Sequence, residues 1–270
     1  LLGALAGLGW GRATNLIVLP DNVRTQSGDR NALLLVLIWI VWRLVDISFN
    51  ISLSHLKMAL HPLIHIEISW FLVLRYILLW LIVSLAVLSY ASMQRGNEAI
   101  LTVIAIVVVG RVLFVSPPFD SSELMALLLL LPALVMVHAL RWIPATAVVL
   151  LAVVFVYVYD HVLPLNISSF HFNFDFIPFI SWIRNGASLD LNSLLRTLFV
   201  FAAMIWLLKE STFSLRTSVI TIVIAVLGIE IFHMWQAGRS GSISLPAFAL
   251  TTGLVMIAID RASSTAVKTK

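Results

Sequence analysis

Three ionisable side chains lie close together where an apolar segment of the chain ends. They are Glu230, His233 and Arg239. If residues 216–235 form one helix, Glu230 and His233 are i,i+3 neighbours on one face, and Arg239 follows just beyond the helix end. A carboxylate and an imidazole can exchange protons. A guanidinium can bind an anionic group. Ionisable residues are costly in lipid, so their presence in an apolar helix indicates a functional site or a specific partner.

The composition places these residues in an integral membrane protein. Hydrophobic residues make up 61% of the 270 residues, charged residues make up 11%, and the mean hydropathy is +1.04. These values exclude a soluble domain of this length. The chain has no cysteine, which excludes disulfides, iron–sulfur clusters and thiolate metal sites. The net charge of +4 is spread over many short loops, which favours anionic lipid headgroups over nucleic acid as partners.

Apolar segments long enough to cross a bilayer recur along the chain. Each is close to the roughly 20 residues that a spanning helix needs, and none alternates polar with apolar residues as a barrel strand does. The sequence therefore predicts an all-α fold, a polytopic transmembrane helical bundle of about eight spans. The predicted spans are residues 32–48, 70–90, 99–116, 122–140, 144–160, 193–209, 216–235 and 242–260.

The distribution of basic residues predicts the orientation of these spans. Cytoplasmic loops collect lysine and arginine. With eight spans, most basic residues fall on the side that holds both chain ends, whereas only Lys57, Arg184 and Arg239 fall in loops on the other side. Both ends are therefore predicted to lie in the cytoplasm. Most of the acidic residues fall in the outer half of the predicted topology.

Four further arginines lie inside predicted spans, toward the ends predicted to be outer. One interpretation is that each snorkels to the headgroups. The other is that several converge with Glu230 and Asp46 into one polar pocket open to the outside, and Arg43 and Asp46 are also placed for a local i,i+3 pair. The four residues are Arg43, Arg75, Arg111 and Arg196.

Two segments between the spans contain further residues that could do chemistry. His61 and His65 have the spacing to share a metal ion, but Pro62 lies between them and no second ligand cluster follows, so no metal site is predicted. In residues 170–179 phenylalanine alternates with polar residues. That alternation predicts an extended segment with one apolar face, which either packs on helix ends or forms a lid over the pocket.

A series of short motifs follows this segment in the last third of the chain. Ile177-Pro178-Phe179 precedes a helix, a short basic turn follows, and the next helix ends in Ile229-Glu230. Gly238-Arg239, a few small residues and a final helix containing Gly253 complete the series. This order resembles that of the VanZ-like family of bacterial membrane proteins.

The resemblance has two departures and one extension. His233 stands where Gln is common in that family, and Leu245 stands where an Asp would be expected. Residues 1–12 resemble the Gly-rich end of the family's last helix, which suggests a preceding module of the same kind. The expected organisation is the end of that module with a cytoplasmic linker, a five-helix transmembrane region and a VanZ-like three-helix module, over residues 1–31, 32–165 and 166–270.

The resemblance implies a multi-pass protein of the bacterial cytoplasmic membrane with a cell-envelope role of the glycopeptide-resistance type and no established catalysis. Its expected partners are membrane lipids and a lipid-linked envelope precursor or glycopeptide, with no cofactor and no nucleic acid. The predicted site combines Glu230, His233 and Arg239 with the span residues Arg43, Asp46, Arg75, Arg111 and Arg196.

Three alternatives stay open. The chain could be a structural accessory subunit of a larger membrane complex, bound to partner subunits. It could be a membrane enzyme in which Glu230 and His233 act as general acid and base on a lipid-linked precursor, although the sequence has no serine-nucleophile motif and no Walker-type loop. Glu230 and Arg239 could also form an ion pair that pins the last two helices together.

Overall fold

The computed structural model of the chain describes residues 29–45, 67–91, 96–114, 120–139, 144–163, 174–176, 190–236 and 240–268. Those residues form eight helices and two short strands. The helices are α1 (Arg30–Leu44), α2 (Trp70–Tyr90), α3 (Gly96–Phe114), α4 (Ser121–Ala139), α5 (Ala145–Val162), α6 (Leu191–Ser211), α7 (Leu215–His233) and α8 (Ser244–Lys268). The strands are β1 (Phe174–Asp175) and β2 (Gly241–Ser242).

Six of the described helices are long and apolar enough to cross a membrane. The prediction of a mostly helical chain with membrane-spanning segments is thereby confirmed at this coarser level. Each of the eight predicted spans overlaps one described helix, while the number of true spans and their orientation stay predictions. The six helices are α2, α4, α5, α6, α7 and residues 244–262 of α8.

Short polar side chains set where several helices begin. The Asp29 carboxylate accepts a hydrogen bond from the backbone N–H of Asn31, and Asp190 does the same for Asn192. The hydroxyl of Ser214 accepts from the N–H of Thr217 at the start of α7. The first N–H groups of a helix have no partner within it, so these side chains stabilise the helix ends and fix their positions.

The chain forms two compact units, and the first consists of residues Leu1–Val36 and Arg43–Val149. In this unit α2 packs against α4 and α3. Trp80 and Ile82 of α2 and Leu130 of α4 are almost fully buried. The hydroxyl of Ser122, in the first turn of α4, accepts a hydrogen bond from the N–H of Ser69 just before α2. The starts of α2 and α4 therefore lie side by side.

The second unit consists of residues Leu37–Trp42 and Leu150–Lys270. Helices α6, α7 and α8 pack on one another in this unit. The backbone of α8 comes close to a side chain of α7 at Gly253, where an added Cβ would lie 2.6 Å from Cγ2 of Val219. Small residues permit such close approach between membrane helices. The indole of Trp42 donates a hydrogen bond to Oδ1 of Asn192 at 2.6 Å, which joins residues 37–42 of α1 to the start of α6.

A two-stranded parallel ladder crosses the end of α7 in this second unit. Phe174 pairs with Gly241 and Asp175 pairs with Ser242. The N–H of Ile243 extends the ladder by donating to the carbonyl of Asp175 at 3.0 Å. Strand β1 lies within the phenylalanine-alternating segment, so the structure shows an extended conformation at the part of that segment it describes.

Candidate functional site

Glu230 is buried at the last turn of α7, with 4% of its surface exposed. The backbone N–H of Ser242 in β2 donates a hydrogen bond to its Oε2 at 2.8 Å. Gly241, the neighbouring residue, has no room for a side chain, because a Cβ would collide with the backbone oxygen of Glu230 and lie 2.7 Å from Cδ2 of Phe174. The β1–β2 ladder thus holds a backbone donor against the carboxylate.

His233 is also buried and faces the same carboxylate. Its Nδ1 lies 3.7 Å from Oε2 of Glu230, within ion-pair distance. Its Nε2 lies 2.9 Å from the backbone oxygen of His161 in α5. A carbonyl oxygen only accepts, so Nε2 carries the hydrogen in this contact and the ring orientation is fixed. The i,i+3 prediction for Glu230 and His233 therefore corresponds to a real contact.

Gln236 completes this group, although the sequence analysis did not select it. The residue is 4% exposed, and its Nε2 donates to the backbone oxygen of Val162. That hydrogen bond fixes which end of the amide is which, since a flipped amide would place two oxygens together. Oε1 of Gln236 is then a buried acceptor without a hydrogen-bond partner in the described part of the chain. The sequence signal that could have identified Gln236 is the repeated spacing of three residues from Glu230 to His233 and from His233 to Gln236.

The carbonyls bound by His233 and Gln236 belong to the last turn of α5. Carbonyls at a helix C-terminus have no partner within the helix, so side chains of one helix here satisfy the end of another. The ring of Tyr157 stacks on that of His161, with centroids 4.0 Å apart, and the Tyr157 hydroxyl is buried without a hydrogen-bond partner among the described residues. We call Tyr157, Glu230, His233 and Gln236 the Glu230 site.

A second polar cluster lies in the first unit, around Glu123. This residue, in the first turn of α4, is 0% exposed, and its two carboxylate oxygens accept hydrogen bonds from Arg43 and Arg111. The guanidinium of Arg43 also lies over the ring of Tyr76, 5.9 Å from its centroid. The cluster joins the C-terminal ends of α1 and α3 to the N-terminal ends of α2 and α4. We call Arg43, Arg111 and Glu123 the Glu123 cluster.

The structure brings the predicted residues together in pairs. Arg43 and Arg111 meet at Glu123, which the sequence analysis did not select as a site residue. Arg75 is half-buried in α2, and Arg196 is exposed on α6. Asp46 and Arg239 lie outside the described residues.

The described residues contain no group of three or more His, Cys, Asp or Glu side chains that could hold a metal ion. His61 and His65 are outside that part of the chain. Comparison with protein-family models, with curated proteins and with solved structures found no match. The two buried polar clusters are therefore the features of this chain that bear on its function.

Proposed function

We propose that this chain is a multi-pass protein of the bacterial cytoplasmic membrane, VanZ-like in its last third, that binds a cell-envelope ligand without catalysing a reaction on it. The ligand class is a lipid-linked envelope precursor or a glycopeptide. The observation that carries the proposal is the buried carboxylate of Glu230 beside His233 and Gln236 at the end of an apolar helix.

The predicted orientation of the chain supports an outward-facing site. With eight spans and both ends inside, the C-terminal end of α7 and the N-terminal end of α8 face the outside of the cell. Glu230 lies at the first of these ends and Ser242 just before the second. Lysine and arginine are scarce in the loops of that side, as the positive-inside rule requires. A ligand outside the cytoplasm would then reach the Glu230 site without crossing the membrane.

The hydrogen bonding of Glu230 supports binding over a purely structural role. A carboxylate has about four acceptor positions. Among the described residues, only the N–H of Ser242 donates a hydrogen bond to it, since Nδ1 of His233 at 3.7 Å is beyond hydrogen-bond distance. The carboxylate can therefore accept further hydrogen bonds from a ligand. Ligand binding would also explain why an ionisable residue lies in an apolar helix.

Glycopeptide susceptibility tests the proposal in cells. The chain is expressed in a teicoplanin-susceptible bacterium, and the inhibitory concentration is compared between the wild type, Glu230→Gln and Glu98→Gln. Glu98 lies on the exposed surface of α3, so its substitution removes the same charge without touching the site. We expect protection by the wild type and by Glu98→Gln and loss of protection by Glu230→Gln, with equal amounts of each protein in the membrane fraction.

The same proteins in lipid nanodiscs separate this proposal from its alternatives. The probe is an undecaprenyl-linked peptidoglycan precursor, and both its binding and its chemical integrity are measured. Binding without turnover that depends on Glu230 supports the proposal. Turnover of the precursor would establish the enzyme alternative. Equal protection and equal binding by Glu230→Gln, together with co-purifying membrane subunits, would replace it with the accessory-subunit alternative.

A further inference from the structure

Hydrogen-bond acceptors remain unpaired in the Glu230 site after the hydrogen bonds of His233, Gln236 and Ser242 have been made. The Nε2–H of His233 is committed to the carbonyl of His161, and the amide nitrogen of Gln236 is committed to the carbonyl of Val162. The N–H of Ser242 is committed to Glu230. The acceptors that remain are the carboxylate of Glu230, Oε1 of Gln236 and the hydroxyl of Tyr157, which can also donate.

The acceptors of this site carry negative charge or partial negative charge. Glu230 supplies a carboxylate, and the C-terminal ends of α5 and α7 meet there, each with the partial negative charge of a helix C-terminus. The groups of opposite sign are the imidazole of His233, 3.7 Å from the carboxylate, and the N-terminal end of α8, which begins two residues after Ser242. A phosphate or carboxylate ligand would be repelled from this position. A cation that donates hydrogen bonds would be attracted, and it would also give a partner to the buried Oε1 of Gln236, which otherwise bears the penalty of desolvation without a hydrogen bond.

We propose that the Glu230 site binds the primary ammonium group of its ligand, with Glu230 and Gln236 as the specificity-determining residues. This inference rests on the proposed function and names the chemistry of the ligand. A primary ammonium offers three N–H donors and no acceptor, which matches one carboxylate, one amide oxygen and one phenol oxygen. A quaternary ammonium has the charge but no N–H and cannot satisfy the amide oxygen.

Two sources could supply such a group. One is the ethanolamine headgroup of a phospholipid in the outer leaflet, and the other is an amine on a soluble or lipid-linked envelope molecule. The chemistry at Glu230 and Gln236 is the same for both, so the experiment has one arm for each source.

In the lipid arm, the purified protein is placed in nanodiscs containing equal amounts of phosphatidylethanolamine and phosphatidylcholine. These lipids differ only in the substitution of the headgroup nitrogen. After release into detergent, native mass spectrometry counts the lipids retained on each protein. We expect phosphatidylethanolamine to be retained about tenfold over phosphatidylcholine, the equivalent of one good hydrogen-bonded contact. Glu230→Gln and Gln236→Leu are expected to abolish the preference.

In the soluble arm, ethanolamine or glucosamine competes with the peptidoglycan precursor for protein in phosphatidylcholine nanodiscs, and choline and inorganic phosphate are the comparison solutes. Competition by the primary amines alone identifies an envelope amine as the source. Competition by phosphate and not by the amines would overturn the assignment, because it would show an anion site.

Two kinds of variant keep the result interpretable. Tyr157→Phe removes one acceptor and keeps the ring stacked on His161, so it is expected to lower the preference for the amine even if Gln236→Leu does not fold. Ser84→Ala, which removes a buried hydroxyl from α2 in the first unit, and Glu98→Gln are expected to behave as the wild type. Unchanged amine preference in Glu230→Gln and Tyr157→Phe would show that the site does not bind the ammonium.

The outcomes separate this inference from the proposed function. If Glu230→Gln loses teicoplanin protection while both lipids and all solutes bind equally, the ammonium assignment is wrong and the proposed function stands. If the amine preference depends on Glu230 but protection does not, the ammonium site stands and the proposed function is wrong.

Discussion

Glu123 and Glu230 are both buried carboxylates near the ends of apolar helices, but their surroundings differ. Two arginines contact Glu123, one from each of two other helices. Glu230 has one backbone N–H and an imidazole at 3.7 Å. The charge of Glu123 is compensated by two arginines. Glu230 accepts its hydrogen bond from a neutral peptide N–H and can still accept others.

This difference assigns different roles to two residues of the same type. A buried carboxylate held by two guanidinium groups ties helices together, because removing it would leave two cations poorly compensated in an apolar environment. A carboxylate held by one peptide N–H can lose its charge and still accept that hydrogen bond. The Glu123 cluster is therefore a structural tie, and the Glu230 site is the better position for a ligand.

The largest expected effect is the loss of the carboxylate in the Glu123 cluster. Replacing Glu123 by Gln is expected to lower the free energy of unfolding by about 3 kcal/mol, at the low end for a broken buried ion pair, because both arginines make other interactions as well. Unfolding in detergent against increasing denaturant measures the change. The control is Glu98→Gln on the exposed face of α3, and a loss no larger than that of the control would contradict the structural role of Glu123.

A smaller effect is expected where β2 approaches Glu230. Replacing Gly241 by Ala adds a methyl group that collides with the backbone oxygen of Glu230 and with the Phe174 ring, which is expected to destabilise the protein by about 1–3 kcal/mol. Gly228→Ala, the same substitution in α7 two residues before Glu230, is the control, since nothing lies within 4 Å of its added Cβ. The control is expected to stabilise α7 by about 0.5–1 kcal/mol. Equal thermal stabilities for the two variants would show that β2 does not lie in close contact with the backbone of Glu230.

The smallest loss of stability is expected for Glu230→Gln. The substituted amide oxygen can still accept from the N–H of Ser242, so only the charge assistance of that hydrogen bond is lost, about 1 kcal/mol. The unfolding experiment used for Glu123→Gln measures it. A destabilisation as large as that of Glu123→Gln would end the contrast between the two carboxylates and make Glu230 a structural residue.

The helices of this chain were predictable because their signal is local. Runs of about 20 apolar residues place each span by composition alone, and capping residues such as Asp190 and Ser214 then mark the boundaries. The i,i+3 contact between Glu230 and His233 was predictable for the same reason, since helix geometry alone brings them together.

The partners of the buried charges were not predictable, because pairing depends on packing between distant segments. Arg43 and Glu123 are 80 residues apart, and nothing in the sequence distinguishes Glu123 from other acidic residues at span ends. Arg196 has the same type and predicted depth as Arg111, yet it is exposed while Arg111 reaches a carboxylate. Gln236 carries no charge, so a search for ionisable residues in apolar helices passes over it.

The β1–β2 ladder was only half predictable. Alternation of phenylalanine indicated an extended conformation around residue 174, but a strand of two residues gives no indication of its partner. Gly241 becomes informative only once the neighbouring carbonyl of Glu230 is known.

The capping of α5 by side chains of α7 has a consequence for how the chain is made. His161 leaves the ribosome 72 residues before His233. At a synthesis rate of about 5–20 residues per second, His233 is therefore synthesised roughly 4 to 14 s after His161, whose carbonyl it binds. During that interval its last carbonyls lack these two partners, so the C-terminal end of α5 reaches its final state only after α7 has been synthesised.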